Sequence, residues 1–267
     1  MVHRIFADKP TKLFIALTAF FVANAVVAEC IGGKIFSLES FLGLPVTHFT
    51  LLGQSGLSYA LTCGVLLWPL EFVLTDVVNE FFGARAVKRI SIIAVALIAY
   101  AFFMFYFSMK TPSAAFWITS KTQEGVPDMQ KAFTAIFGQG MWIIAGSICA
   151  FLISQLVDVF VFQKIKRYTG EGKVWLRATG STLVSQLVDS FVVLFIAFKL
   201  GNGWSWQLVL AICLVNYSYK SVMAIILTPV IYLFEFCIEK YLGKELAHQL
   251  KTEALKKKGE LDTVPLG

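Results

Sequence analysis

Leu152-Ile153-Ser154-Gln155-Leu156-Val157-Asp158 and Leu183-Val184-Ser185-Gln186-Leu187-Val188-Asp189 carry the same Ser-Gln-Leu-Val-Asp pentapeptide, 31 positions apart, inside two long apolar runs. A carboxylate deep in a segment that otherwise lives in hydrocarbon costs roughly 2.5–3.5 kcal/mol on insertion scales. A chain that meets this cost twice, each time with Ser one turn before the Asp, has a use for those groups in a bundle interior. Ser at i and Asp at i+4 share one helical face, with Gln at i+1 beside them. Two readings follow: a pair of helix–helix hydrogen-bonding faces, or the wall of a solute site.

The rest of the composition agrees with a membrane setting. The chain has 267 residues, 57% of them hydrophobic and 15% charged, with a mean hydropathy of +0.73. That profile belongs to a multi-span membrane protein and leaves no room for a separate soluble domain. Cys30, Cys63, Cys149, Cys213 and Cys237 lie singly in apolar runs, which reads neither as a disulfide framework nor as a metal site. His3, His48 and His248 fall outside the apolar runs, so no cofactor or metal is expected.

Six spans are expected, forming an all-α integral membrane domain over residues 1–240 followed by a basic cytoplasmic tail, 241–267. The first is Leu13–Ala28. It resembles a signal peptide, but Asn24 within it points to an uncleaved span. Residues 31–56, with five glycines and Pro45, are too broken for a span, and Thr47–Leu51 is a candidate hairpin arm. Span two is Leu57–Phe82, with a kink expected at Pro69, and span three is Ala86–Ser108. In the following loop, Asp128–Phe137 has the spacing of a helix lying on the membrane surface. Span four is Met141–Phe162 and span five Thr179–Leu200. The last segment, Trp206–Glu239, would make a helix of about 51 Å against a core of about 30 Å. It must therefore tilt or break, with break points at Asn216–Ser221 and Pro229.

Basic residues set the orientation. Arg4, Lys9 and Lys12, then Arg85, Lys88 and Arg89, then Lys164, Lys166, Arg167, Lys173 and Arg177, and finally a Lys-rich tail with Lys256–Lys258 all fall on one side. Lys34, Lys110, Lys121, Lys131 and Lys199 fall on the other. Both termini are expected in the cytoplasm. The net charge of +6 is thus a topology signal and implies no nucleic-acid partner.

Within the spans, Glu71, Thr75, Asp76, Asn79 and Glu80 occupy about half of one helix circumference. Asn216 and Lys220 stand at i and i+4 in the last segment. Lys220 is too deep to reach water by snorkelling, and Asp189 is its natural counter-charge. Glu80 reads equally well as a solvated headgroup-level residue, and Glu29 as an interfacial one. The candidate solute-binding set is Asp189, Gln186, Ser185, Asp158, Gln155, Asp76, Asn79, Glu80, Asn216 and Lys220. Carboxylates and amides converging on one cavity suit a guanine-like edge or a protonated amine, with Tyr217, Tyr219 and Phe191 as candidate stacking faces.

Thr75-Asp76-Val77-Val78-Asn79-Glu80-Phe81-Phe82-Gly83, the Ile153–Asp158 run with Lys164–Lys166, Trp175-Leu176-Arg177 and the block Gly180–Ser190 resemble the queuosine-precursor transporter family, also called the vitamin uptake transporter family. The resemblance covers roughly Leu13 to Tyr241. It implies uptake of 7-cyano- and 7-aminomethyl-7-deazaguanine across the bacterial inner membrane, for salvage of precursors of a tRNA modification. It carries Asp76, Asn79 and Glu80 in one motif and Ser185, Gln186 and Asp189 in another. Competing readings are a substrate-capture subunit with an ATP-driven partner, since the chain has no G-x-x-x-x-G-K-[ST], or a carrier of another donor-rich or cationic solute. An intramembrane enzyme is disfavoured, because no nucleophile–base pair or metal spacing is present. The expected partners are the small-molecule deazaguanine and the lipid bilayer, with a homo-oligomer or an energising protein left open.

Overall fold

The computed structural model describes residues 8–138, 141–170 and 173–254. Arg4, His3 and the Lys256–Lys258 cluster lie outside the described residues. Helix α1 (Lys9–Ile31) opens with Asp8 accepting a hydrogen bond from the Thr11 N–H at 3.0 Å and with proline in its first turn, where a missing N–H costs nothing. It is followed by two small hairpin pairings: β1 (Ile35–Ser37) antiparallel to β4 (Ala60–Thr62), and between them β2 (Phe49–Leu51) antiparallel to β3 (Gln54–Leu57).

Residues 57–67 therefore do not begin a span, as their apolar character suggests. They form the end of β3, then β4, and a 3-10 turn over Cys63–Leu66. Gly64 lies so close to α1 that a Cβ there would sit 2.6 Å from the Ala28 carbonyl oxygen. Helix α2 (Trp68–Lys110) starts only at Trp68, with Pro69 in its first turn. The proline initiates this helix and does not kink it.

The 43 residues of α2 are two arms meeting at Gly83, whose backbone (φ 78°, ψ 173°) is non-helical. Leu74, Val78 and Phe81 before the bend and Val87, Ile90, Ala94 and Ile98 after it share one core with Leu17, Phe21 and Ala25 of α1. The arms thus fold back along α1. Only glycine adopts that backbone readily, and a Cβ would in addition meet the Ala254 backbone at 3.1 Å. Gly83→Ala is expected to destabilise the protein by about 1–3 kcal/mol, read as a lowered thermal midpoint in detergent; an unchanged midpoint would show that the bend does not need glycine.

Helix α3 (Met129–Phe137), N-capped by Asp128, is the expected loop helix. Helices α4 (Met141–Thr169) and α5 (Val174–Leu194, continuing as a π-helical turn over Phe195–Leu200) form the largest helix–helix interface. Gly146 faces the Val193 carbonyl oxygen and Ala197 across it, and Gly180 faces Ile165, so small residues let the two helices approach. The final segment breaks once, between α6 (Trp206–Ile226) and α7 (Thr228–Leu242), with Pro229 in the first turn of α7. Asn216–Ser221, the other expected break, is continuous helix.

Helix α8 (Lys244–Glu253) packs back on the bundle, burying Ala247 and Lys251. This part of the expected basic tail thus packs against the helices. Lys251 bonds Glu235, and Glu239 at 2.6 Å, both on α7. Burial works against the ammonium, but the two carboxylates outweigh it and hold Lys251 above its ordinary range. Its contribution is intact at neutral pH and is lost only as pH rises through that elevated value. Lys9 Nζ lies 3.1 Å from the Tyr241 carbonyl oxygen, so α1 and α7 meet at one end of the bundle.

Polarity is inverted relative to a water-soluble fold. Ile92, Phe103, Phe160, Val222 and Leu233 are exposed, while Glu71, Asn79, Ser154, Asp158 and Ser185 are fully buried. Among the described residues, five helical stretches are long and apolar enough to cross a membrane, counting the two arms of α2 as one. This is a multi-pass membrane protein with a polar interior.

Candidate functional site

The repeated pentapeptide forms a reciprocal clasp across the antiparallel α4 and α5. Ser185 Oγ lies 3.0 Å from Asp158 Oδ1, and Ser154 Oγ lies 3.3 Å from Asp189 Oδ1. Each copy's serine therefore meets the other copy's aspartate. The surroundings then differ. Asp189 pairs with Lys220 of α6 at 2.5 Å, the pairing expected from the depth of that lysine. Asp158 is fully buried, with Ser181 also beside it, and among the described residues it is in no ion pair. The serines and aspartates of the repeat tie two helices together, and Gln186 lines a cavity.

The first arm of α2 is the other polar wall. Asn24 Nδ2 donates to Glu71 Oε2 at 2.7 Å, Thr75 donates to Gln155 Oε1 at 3.0 Å, and Gln163 donates to Asn79 Oδ1 at 2.6 Å. At the end of the arm, Glu80 is held by Arg177 (Nε–Oε2 2.9 Å, Nη2–Oε1 2.8 Å) and by Lys166, 3.1 Å from Oε2. All three are buried. Glu80 is buried, not solvated, and both its oxygens are committed to this clamp. Lys166 and Arg177 count in the sequence as orientation signals and as parts of the motifs that carry the resemblance, with no partner assigned, and Gln163 goes unnoticed. Their signal was proximity, as basic residues flanking two span ends level with an acid at the end of a third.

Two cavities lie along this arm. The larger, about 360 Å³ including its mouth, is lined by Trp68, Pro69, Phe72, Asp76, Thr179, Thr182, Gln186, Lys220 and Leu227, among others. Its walls close in, leaving room inside for little more than a water molecule. The second, about 230 Å³, lies toward the end where α1 meets α7, between Asp76, Glu80, Val174, Ile231 and Glu235. Asp76 is a wall of both.

Of the expected set, the larger cavity brings together Asp76, Gln186 and Lys220. Asp158, Gln155, Ser185, Asp189 and Asn79 stand behind that surface, and Asn216 bonds the carbonyl oxygen of Ile212 in its own helix at 3.0 Å. The expected aromatic faces are used elsewhere. This holds for two of the three, since Phe191 stacks on Phe195 and Tyr219 packs with Leu61 and Val65; the aromatic rings lining the cavity are those of Trp68 and Phe72. Asp76 Oδ1, Asp158 Oδ2, Gln155 Nε2 and Gln186 Oε1 are buried without a hydrogen-bond partner. Buried polar atoms ordinarily find partners; of these four, Asp76 Oδ1 and Gln186 Oε1 belong to side chains that line the cavity.

A bundle with an apolar exterior and convergent carboxylate, amide and ammonium groups around a buried cavity defines a class of membrane proteins with a polar internal site. The family model described as "Putative vitamin uptake transporter" matches residues 62–234, more than half of the chain, and the chain belongs to this family. It is 32% identical over 123 residues to the "Probable queuosine precursor transporter" of Bacillus subtilis (strain 168), a match covering 45% of this chain and 49% of that protein. The aligned part thus spans about half the length of the curated relative. No solved structure gives a match.

Proposed function

We propose that this protein imports 7-deazaguanine precursors of queuosine across the bacterial inner membrane, binding them between the first arm of α2 and helices α5 and α6. The observation that carries this reading is Asp76. It is a buried carboxylate with an unpartnered oxygen, sharing a cavity with Gln186, Lys220, Trp68 and Phe72. A guanine-like edge offers a ring N–H and an exocyclic amine side by side, which a carboxylate accepts in bidentate fashion. The ring carbonyl would accept from the Lys220 ammonium or the Gln186 amide, and Trp68 and Phe72 supply apolar faces for the ring. The name of the Bacillus subtilis relative supports the same substrate class. Because the cavity is narrow, entry requires the walls to part, as alternating access demands.

In this reading the chain crosses the membrane six times. The two arms of α2 cross separately, and α6 with α7 form one broken crossing. Both termini face the cytoplasm, supported by Lys9, Lys166, Arg177 and Lys251 gathering at the end where α1 meets α7.

Lys220 is held for the solute by Asp189. Lys220→Met leaves that carboxylate without its cation and is expected to cost about 2 kcal/mol. Adding Asp189→Asn should recover most of the loss, and simple additivity of the two changes would show the side chains to be independent.

The reading is tested by uptake of radiolabelled 7-cyano-7-deazaguanine in bacteria unable to make or import queuosine precursors. Expression of this chain should restore uptake and queuosine in tRNA. No gain over empty vector would reject it, and a gain that requires a co-purifying ATPase would favour the capture-subunit reading.

A further inference from the structure

Asp76 and Asp158 abut the same turn of α5, one through Thr182 and the other through Ser185 three residues on, and both are enclosed by protein. No ion pair neutralises either one among the described residues. The cations nearby are committed elsewhere: Lys220 to Asp189, and Arg177 and Lys166 to Glu80. The remaining charged group facing Asp76, Glu235 on α7 across the second cavity, is acidic and paired with Lys251. From α5, Arg177 is committed to Glu80, and the neutral neighbours are Thr182, 3.5 Å from Asp76 Oδ2, and Ser185, 3.0 Å from Asp158 Oδ1. One oxygen of each carboxylate has no partner. Two such carboxylates cannot both stay ionised in a low-dielectric interior.

We propose that Asp76 and Asp158 form a proton-binding site that couples proton entry to solute entry, an inference that rests on the transport reading above. Solute recognition requires Asp76 as the anion, because it must accept two N–H donors. The proton of the pair then resides on an oxygen of Asp158, where it removes the repulsion that would otherwise oppose an ionised Asp76. Solute and proton therefore favour each other's binding, and linkage makes that preference reciprocal. Asp76 alone of the two borders both cavities, so it is placed to pass a proton between Asp158 and either side of the site. In one cycle the O–H bond forms with a proton from outside and breaks when that proton leaves to the inside with the solute. No other co-reactant is needed.

The test uses the purified full chain in liposomes with the membrane potential clamped by potassium and valinomycin, and radiolabelled 7-cyano-7-deazaguanine, which is uncharged. With one proton per solute, an inside-alkaline gradient should raise accumulation about tenfold per pH unit, and adding the solute outside should acidify the lumen. Asp158→Asn imitates the protonated partner. It should retain exchange of labelled for unlabelled solute while losing both gradient-driven accumulation and lumen acidification. Wild-type exchange with no effect of the pH gradient, or accumulation that follows a sodium gradient instead, would overturn the coupling. Proton coupling retained in Asp158→Asn would overturn its assignment to this pair. Absence of any wild-type exchange would reject the transport reading, and the coupling with it.

Discussion

Uptake of 7-cyano-7-deazaguanine should fall about 100-fold on Asp76→Asn, while the protein still inserts and folds. The carboxylate and the amide have the same shape, so the cavity between the first arm of α2 and α5 is preserved. Their chemistry differs. Asp76 offers acceptors only, and its buried Oδ1 has no partner within the protein. Asparagine replaces one acceptor by an NH2 that points its hydrogens at those of the guanine-like edge. Loss of a hydrogen bond to a charged group is worth about 1.5–3 kcal/mol, and the opposed donors keep the effect at the upper end of that range. About 2.7 kcal/mol corresponds to the hundredfold loss. The check is initial uptake rate normalised to membrane-inserted protein. Wild-type uptake by the variant would remove Asp76 from the site.

Arg177→Met should cost about 3–5 kcal/mol of stability, the larger structural effect expected of any single change here. Arg177 makes two hydrogen bonds to Glu80 and a third, at 3.0 Å, to the Gly170 carbonyl oxygen. All of this takes place where neither side chain reaches solvent. Removing the guanidinium leaves Glu80 with Lys166 alone and unties α5 from the first arm of α2. Lys164→Met is the control, since Lys164 is exposed on the same stretch of α4, and a change within about 0.5 kcal/mol is expected there. Thermal unfolding of the purified variants in detergent measures both. Equal, small effects would show that the clamp adds little beyond its own desolvation.

Much of the helical frame was legible because hydrocarbon imposes a simple rule. Long apolar runs become helices, and a lysine as deep as Lys220 must find an acid, which here is Asp189. Leu57–Leu67 misled because a short apolar run fits a strand as well as a helix. Its strand character depends on the register with Ile35–Ser37, which no local pattern announces. Pro69 was visible, but its role turned on whether helix preceded it. The break before Pro229 was visible as well, while Asn216 suggested a second one. Polar side chains inside a bundle need not interrupt a helix when the backbone carbonyls accept their hydrogen bonds, as that of Ile212 does.

The candidate site was legible in its ingredients and not in its arrangement. The repeat gives Asp158 and Asp189 the same neighbours in sequence, while depth singled out Asp189 for Lys220; among the described residues Asp158 is in no ion pair. That asymmetry comes from α6 packing beside α5, a tertiary fact. Glu80 looked like a partner of Asp76 because i and i+4 share a face. Arg177, 97 residues away, claims it, and a basic residue next to a span end already had a sufficient explanation in membrane orientation. The aromatic faces followed the same logic. Trp68 and Phe72 line the cavity because the helix starts at Trp68, so an error in the start of α2 hid them.

The decisive measurement is equilibrium binding of radiolabelled 7-cyano-7-deazaguanine to the purified full chain, with Asp76→Asn and Gln186→Ala alongside. Saturable binding that a guanine-edged competitor displaces, and that both substitutions weaken at least tenfold, is the predicted result. Binding of equal strength to all three proteins would place the solute elsewhere and contradict the assignment of this cavity.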